Sequence, residues 1–566
     1  MLDKFRIALG YTKNGASLFC QDCKNEDYSL GYTYKQGRLR AELWVKNEVR
    51  LSSAALIYDF VYQDNYKVFC NGYQSWSYTR EYSKGEKLKG LKSISKYPPI
   101  KKFAYTSGEY HFVDYPEKAG EFHSITYGYI RNEDEYTLIG SLCERAGYTI
   151  IRYSFNQNSL RIEKDVEGKL LKAGDKITLF DLYYEKGDYN AVFDNYFKVM
   201  GVSKPKINRL CGYTSWYNYF GKITEEIILR DLEGLSKVAG KEAHIFQIDD
   251  GYQTAVGDWL SVDAVKFPRG MKFIADTIHG KGYLAGIWLA PFNCQKDSVI
   301  AREHPEWLIK DAAGKLIVSS IAWGGAYTLN FYIPEVRDYL KKVFGEVLNT
   351  WGYDMVKLDF LYSICMYPMY DKSRGEIMCE AMDFLRECVG DKYILGCGVP
   401  LGAAFGRVDF CRIGSDVHTA YRDPFYVKLL NREIISTRTA ITNTIFRRHL
   451  NGRVFLNDPD VFILRNSKKE FPGMESPQLK YTPEQKELLA LVNSIFGDVL
   501  FVSDNTGVYG EEQKQILLNA YKGYGYKVLS ADSDSEDNCR ILLKKDDTVY
   551  ALEFNIRKGD YTLKEV

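Results

Sequence analysis

The sequence predicts a multidomain chain: an N-terminal antiparallel β-sandwich, a (β/α)8 TIM barrel and a small C-terminal β domain. Two observations carry this. Short period-two runs fill the first 200 residues, and from about residue 205 buried-looking strands alternate with amphipathic helical stretches, eight times over. A third observation, a return to strand signals after residue 524, adds the terminal domain. The boundaries fall at 1–204, 205–524 and 525–566. The middle segment exceeds the roughly 250 residues of a minimal barrel, so some of its loops carry insertions.

The elements follow in chain order. Arg40-Ala-Glu-Leu-Trp-Val45, Tyr136-Thr-Leu-Ile-Gly-Ser-Leu142 and Lys176-Ile-Thr-Leu-Phe-Asp-Leu-Tyr-Tyr184 alternate as half-buried strands do. Tyr189 to Met200 reads as a helix with Val192, Phe193, Tyr196 and Phe197 on one side, and Gly201-Val-Ser-Lys-Pro-Lys-Ile207 reads as a linker. The eight barrel strands are 210–215, 244–249, 284–289, 355–359, 393–397, 408–413, 454–457 and 498–503. The segments Thr224–Ala239, Pro334–Thr350, Gly375–Val389 and Pro483–Phe496 supply helices between them. Tyr526–Ser530, Arg540–Leu543 and Thr548–Phe554 form the terminal sheet.

Composition excludes several classes. Across 566 residues, 75 Lys and Arg stand against 74 Asp and Glu, so a net charge of +1 recommends neither nucleic acid nor an anionic membrane as partner. No run of 18 apolar residues predicts a transmembrane helix, and the start has no secretory signal, so a cytoplasmic protein is expected. The twelve cysteines then read as reduced and mostly buried. Cys20-Gln-Asp-Cys23 has zinc-ribbon spacing without a second pair, and a turn with two thiols is the better reading. Neither a metal nor a cofactor is expected: there is no P-loop and no G-x-S-x-G, and Gly396-Cys-Gly398 misses the dinucleotide spacing.

In a TIM barrel the chemistry gathers at the C-terminal ends of the strands. Those ends read Ser215-Trp216-Tyr217, Asp249-Asp250-Gly251-Tyr252, Trp288-Leu-Ala-Pro-Phe292, Lys357-Leu-Asp359-Phe360, Gly396-Cys397-Gly398, Arg412-Ile-Gly-Ser-Asp416 and Asn457-Asp458-Pro459-Asp460. Carboxylates, two cations and tryptophans on one mouth have the composition of a sugar site. Each residue also has a plain structural reading. An Asp at a strand end often caps the next helix, a strand Trp often only packs, and Lys357 with Asp359, two apart on one side of a strand, make an ordinary ion pair. The joint occurrence at consecutive strand ends favours function.

These segments resemble glycoside hydrolase family 36, the melibiase-type α-galactosidases, and most of all its short bacterial members. The resemblance rests on Cys211-Gly-Tyr-Thr-Ser-Trp-Tyr-Asn-Tyr-Phe220, Phe246-Gln-Ile-Asp-Asp-Gly-Tyr252, Gly286-Ile-Trp-Leu-Ala-Pro-Phe292, Lys357-Leu-Asp-Phe-Leu361, Leu395-Gly-Cys-Gly398, Arg412-Ile-Gly-Ser-Asp416 and Leu456-Asn-Asp-Pro-Asp460. Gly72-Tyr-Gln-Ser-Trp76 resembles a family loop that reaches over the catalytic mouth. The resemblance implies Asp359 as nucleophile and Asp416 as general acid/base of a retaining mechanism. It implies Asp249 and Asp250 as the pair that binds galactose hydroxyls, Lys357, Arg412 and Cys397 as further pocket residues, and Trp216, Trp288 and Trp76 as aromatic walls. The implied activity is release of terminal α-linked galactose from a small oligosaccharide. An α-N-acetylgalactosaminidase, α-galactosyl transfer and a sugar-binding protein without catalysis are the alternatives, and a homo-oligomer is compatible with all of them.

Overall fold

The computed structural model describes residues 4–91, 106–311, 313–425, 427, 433–466, 479–535 and 537–566. The chain divides into two compact units. The first is Met1–Ser203 with Ile364–Phe384 and Pro400–Arg407; the second is Lys204–Ser363 with Leu385–Val399 and Val408–Val566.

The first unit is the expected sandwich. One seven-stranded antiparallel sheet holds Arg6–Lys13, Val49–Asp59 and Ser159–Asp165 at its centre, and the other holds Arg38–Val45, Lys176–Gly187 and Glu135–Ser141. Alternation is the cause: along Arg38–Val45 the side chains of Leu39, Ala41, Leu43 and Val45 are buried, and Arg40 and Trp44 are exposed. Those inward residues share one core with Leu56, Ile139, Ile162 and Leu182. The helix Tyr189–Met200 buries the four residues expected of it. Asp188 caps its start, accepting from Asn190 N and Ala191 N, and Gly201 ends it at φ 77°, where a side chain is strained.

The second unit contains the barrel. Of eight parallel strands, β1 (Leu210–Thr214), β2 (Ile245–Ile248), β3 (Leu284–Leu289), β4 (Met355–Leu358), β5 (Tyr393–Gly396), β6 (Phe410–Arg412) and β7 (Leu456–Asp458) pair in chain order, and β8 (Val499–Val502) pairs with β1. A backbone hydrogen bond from Asp498 N to Asn457 O at 3.2 Å links the ends of this row and all but closes the ring. Seven of the strands lie within the spans read from the sequence, and β7 runs one residue further, to Asp458. The helices agree too. Glu225–Val238 starts on Thr224, whose side chain accepts from Ile227 N, and Pro483–Phe496 starts on a reciprocal Thr482/Gln485 capping box. The helix read as reaching Thr350 is α-helical over Pro334–Gly345 and finishes in a wider π turn, Glu346–Thr350.

Two features complete the unit. Between β3 and β4 the chain makes an excursion into a small antiparallel sheet, Asn293–Gln295, Val318–Ser320 and Ala326–Thr328, which the sequence reading did not resolve. At the C-terminus Lys527–Ser533, Asn538–Lys545, Thr548–Asn555 and Tyr561–Glu565 form the expected antiparallel sheet. No helix among the described residues is long and apolar enough to cross a membrane. Among the described residues no group of His, Cys, Asp and Glu is arranged to hold a metal, and no disulfide joins any of the twelve cysteines, Cys20 and Cys23 included.

Candidate active site

The site grows from strand alternation. On β2, Phe246 turns away from the barrel axis and stacks on Tyr213 of β1 with centroids 4.3 Å apart, while Gln247 shares the side of Asp249. The Gln247 amide donates to Asp249 Oδ2 at 2.8 Å, and Lys357 Nζ on β4 reaches the same oxygen at 2.9 Å. Asp249 Oδ1 accepts from the backbone N–H of Asp250 at 2.9 Å, so the Asp249 carboxylate is held through both oxygens. Gly251 must follow Asp250: its φ is 121°, and a Cβ there would stand 2.8 Å from the Gly221 backbone.

Asp250 is buried and held by two donors, Gln253 Nε2 on Oδ1 at 2.6 Å and Trp323 Nε1 on Oδ2 at 2.8 Å. Burial raises its carboxyl above the ordinary range, and these two hydrogen bonds oppose the rise. Trp323 was not legible from the sequence. It sits at the tip of the β3–β4 excursion, 6.0 Å from the Trp288 ring and 4.9 Å from the Phe360 ring.

Asp359 follows β4. Trp288 Nε1 at the end of β3 donates to its Oδ2 at 3.1 Å, and Phe360 N donates to Oδ1 at 2.8 Å. Lys357, on the same side of the strand, lies 3.9 Å from Oδ2 and so binds Asp249 more closely than its strand neighbour. Burial works against the Lys357 ammonium, yet Asp249 and Asp359 together hold its pKa above the ordinary value.

Arg412, at the end of β6, is buried and faces three carboxylates. Its guanidinium donates to Asp416 Oδ1 at 2.7 Å and to Asp458 Oδ2 at 3.2 Å, and lies 2.8 Å from Asp460 Oδ1. Asp416 alone of the three is open, its side chain 32% exposed against 1% for Asp458 and 0% for Asp460. Tyr217 donates its hydroxyl to Asp460 Oδ2, and Val417 N donates to the same oxygen at 2.8 Å. The sequence placed Asp458, Asp460 and Tyr217 at strand ends but assigned them no role.

Cys397, at the end of β5 between β4 and β6, ties the two halves together. Burial pushes its thiol well up, and its charged neighbours are Asp359, Arg412, Lys357 and Asp416. Eight of the ten residues singled out in the sequence are thus joined by hydrogen bonds or facing charges. Trp216 is half-buried after β1 with its ring 5.1 Å from Phe220. Trp76 belongs to the first unit, where its backbone N–H donates to Gln74 Oε1 at 3.3 Å.

Residues 229–380 match the Melibiase family model. An α-galactosidase of Escherichia coli is 33% identical over 176 residues, 29% of this chain and 24% of that protein. An A type blood α-D-galactosamine galactosaminidase of Flavonifractor plautii is 27% identical over 237 residues, 37% of this chain and 21% of that protein. The match therefore spans about a quarter or less of these relatives' own lengths. A solved α-galactosidase from Thermus thermophilus, in complex with p-nitrophenyl α-D-galactopyranoside, shares the fold at a TM-score of 0.67 and 24% identity, over 94% of this chain and 97% of that one. The resemblance read from the sequence is borne out: residues 229–380 fit the Melibiase model, and the chain has the fold of the family 36 α-galactosidases.

Proposed function

We propose that the protein is a retaining, exo-acting α-galactosidase that releases terminal α-linked galactose from oligosaccharides. The observation that carries the reading is the pairing of two differently built carboxylate settings around Cys397. On one side Asp359 is fixed through both oxygens by N–H donors, the setting of a group that must attack in one direction. On the other Asp416 is anchored through one oxygen and partly open, as a group that exchanges protons with a leaving group and then with water must be.

In this reading Asp359 attacks the anomeric carbon as Asp416 protonates the departing oxygen. The covalent galactosyl-enzyme is then opened by a water that gives its proton to Asp416. Asp249 and Asp250 accept from sugar hydroxyls. Because both are buried and already locked, an epimer that misses them leaves a carboxylate unsatisfied, which discriminates strongly against other sugars. Trp288 and Trp323 offer aromatic faces beside this pair.

The test is p-nitrophenyl α-galactoside followed by NMR during early turnover. The first-formed product is expected to be α-galactose, with little hydrolysis of the α-glucoside. β-Galactose as first product overturns retention, and equal turnover of both glycosides overturns the Asp249/Asp250 assignment. The galactosaminidase relative favours one second reading, an α-N-acetylgalactosaminidase with the same chemistry. Faster turnover of the N-acetylgalactosaminide in the same assay selects it.

A further inference from the structure

A general acid must hold a proton when substrate arrives, yet Asp416 accepts a hydrogen bond from the Arg412 guanidinium at 2.7 Å. The structure answers this with two more carboxylates. Arg412 faces Asp416, Asp458 and Asp460 at once, so one positive charge is divided among three acids, two of them excluded from water. Three ionised carboxylates around one cation leave a net charge of minus two in a buried setting, and retaining a proton relieves it.

We infer that Asp460 is a positioning residue for the acid/base step: by competing with Asp416 for the charge of Arg412, it makes the three-carboxylate cluster keep one proton, which Asp416 delivers to the leaving group. The inference rests on the assignment of Asp416 as acid/base. The proton moves from the cluster through Asp416 to the glycosidic oxygen as the C–O bond breaks and Asp359 forms its bond to the anomeric carbon. Water returns a proton to Asp416 in the second step, so the cluster ends as it began.

The surroundings of Asp460 fit this role. Facing it are Arg412 from β6, Asp416 from the loop after β6, Asp458 from β7 and Tyr217 from the turn after β1, and Tyr481 feels its charge from the start of the Pro483–Phe496 helix. Cys397 faces Arg412 and Asp416 from β5. Arg465, which donates to the Tyr217 carbonyl at 3.2 Å, is held by Asp504 at 2.8 Å. Asp460 also adopts φ 77°, a left-handed backbone that an ordinary strand end does not require, and this turns its carboxyl back toward Tyr217 and Val417. Burial pushes the Asp460 carboxyl up to about 7, against Arg412 and with the push of Asp416 and Asp458. A carboxyl raised in this way is protonated below that pH and loses its proton as pH climbs through it, so the proton supply should fail on the alkaline side.

The experiment is the pH profile of kcat/KM for melibiose and for a dinitrophenyl α-galactoside, in wild type, Asp460→Asn and Tyr217→Phe. Asp460→Asn leaves Arg412 to two acids, so the alkaline limb for melibiose should move to lower pH by about 1 unit or more. The dinitrophenolate leaves without a proton, so its limb should move less. Tyr217→Phe keeps the charge count but removes a donor that favours the Asp460 anion, so the cluster should hold its proton more tightly and the melibiose limb should move to higher pH by a smaller amount; it decides the matter if Asp460→Asn does not fold. Loss by one constant factor at every pH, for both substrates, overturns the inference and leaves Asp460 a structural residue. Asp416→Ala separates the two claims. If it slows both substrates equally, the acid/base assignment fails and the inference falls with it. If it spares the dinitrophenyl substrate while the Asp460→Asn limb stays in place, the inference alone fails.

Discussion

Trp323 holds its indole on Asp250 from a left-handed backbone, φ 56° and ψ 31°. Phe360, whose N–H fixes Asp359, sits at φ 54°, and Asp460 at φ 77°. Non-glycine residues in this region carry strain of order 1–3 kcal/mol each, and three of them next to site carboxylates mark where the fold holds side chains in directions that relaxed backbone does not give. Trp323→Phe tests what the indole contributes. It keeps an aromatic face and leaves Asp250 Oδ2 without its donor. A hydrogen bond to a charged group is worth about 1.5–3 kcal/mol, so kcat/KM on an α-galactoside should fall roughly 10- to 100-fold. Unchanged kinetics would reduce Trp323 to a packing residue. Nothing in the sequence announces this tryptophan, because no strand or helix period runs through Ile321-Ala-Trp-Gly-Gly325 to place it. Asp249, Asp250, Asp359 and Asp416 were legible for the opposite reason: each ends or closely follows an apolar run that can only be a barrel strand.

At the scale of elements, the helices were readable where local chemistry fixes their ends. Thr482 and Gln485 satisfy each other's backbone N–H groups, Gln485 N to Thr482 Oγ1 at 3.3 Å and Thr482 N to Gln485 Oε1 at 2.9 Å, and Pro483 occupies the position where a missing N–H costs nothing. Thr482→Ala should lower stability by about 0.5–2 kcal/mol, read as an earlier midpoint in urea unfolding, with the site kinetics unchanged. An unmoved midpoint would show that tertiary packing alone holds this helix. The π turn at Glu346–Thr350 escaped the sequence reading, since its residues continue the helical pattern and only the hydrogen-bond register changes. The partners of Arg412 escaped for a related reason. Spacing brings Asp416, Asp458 and Asp460 to one mouth, but which acids a guanidinium takes depends on rotamers and on the turn at Asp460.

Over the whole molecule, the charge balance and the free thiols set the physical character. No disulfide joins any of the twelve cysteines, and burial raises the thiols of Cys211, Cys294, Cys397 and Cys411 in the barrel unit, which makes them poor nucleophiles at neutral pH. The melting temperature should therefore be the same with and without a reductant. A drop on adding dithiothreitol would reveal a cross-link that this structure does not contain. The β-sandwich and barrel were legible because periods of two and of alternating strand and helix persist over long stretches. The excursion between β3 and β4 was not, being too short to show a period of its own. That excursion has a consequence for how such a protein changes over generations. The wall that Trp323 gives to Asp250 hangs from a hairpin whose ends, at Asn293 and Thr328, are paired to each other. Insertions, deletions or exchanges within it can reshape one side of the pocket while the strands that bear Asp359 and Asp416 keep their register, so selection can act on substrate preference and on chemistry as nearly separate traits.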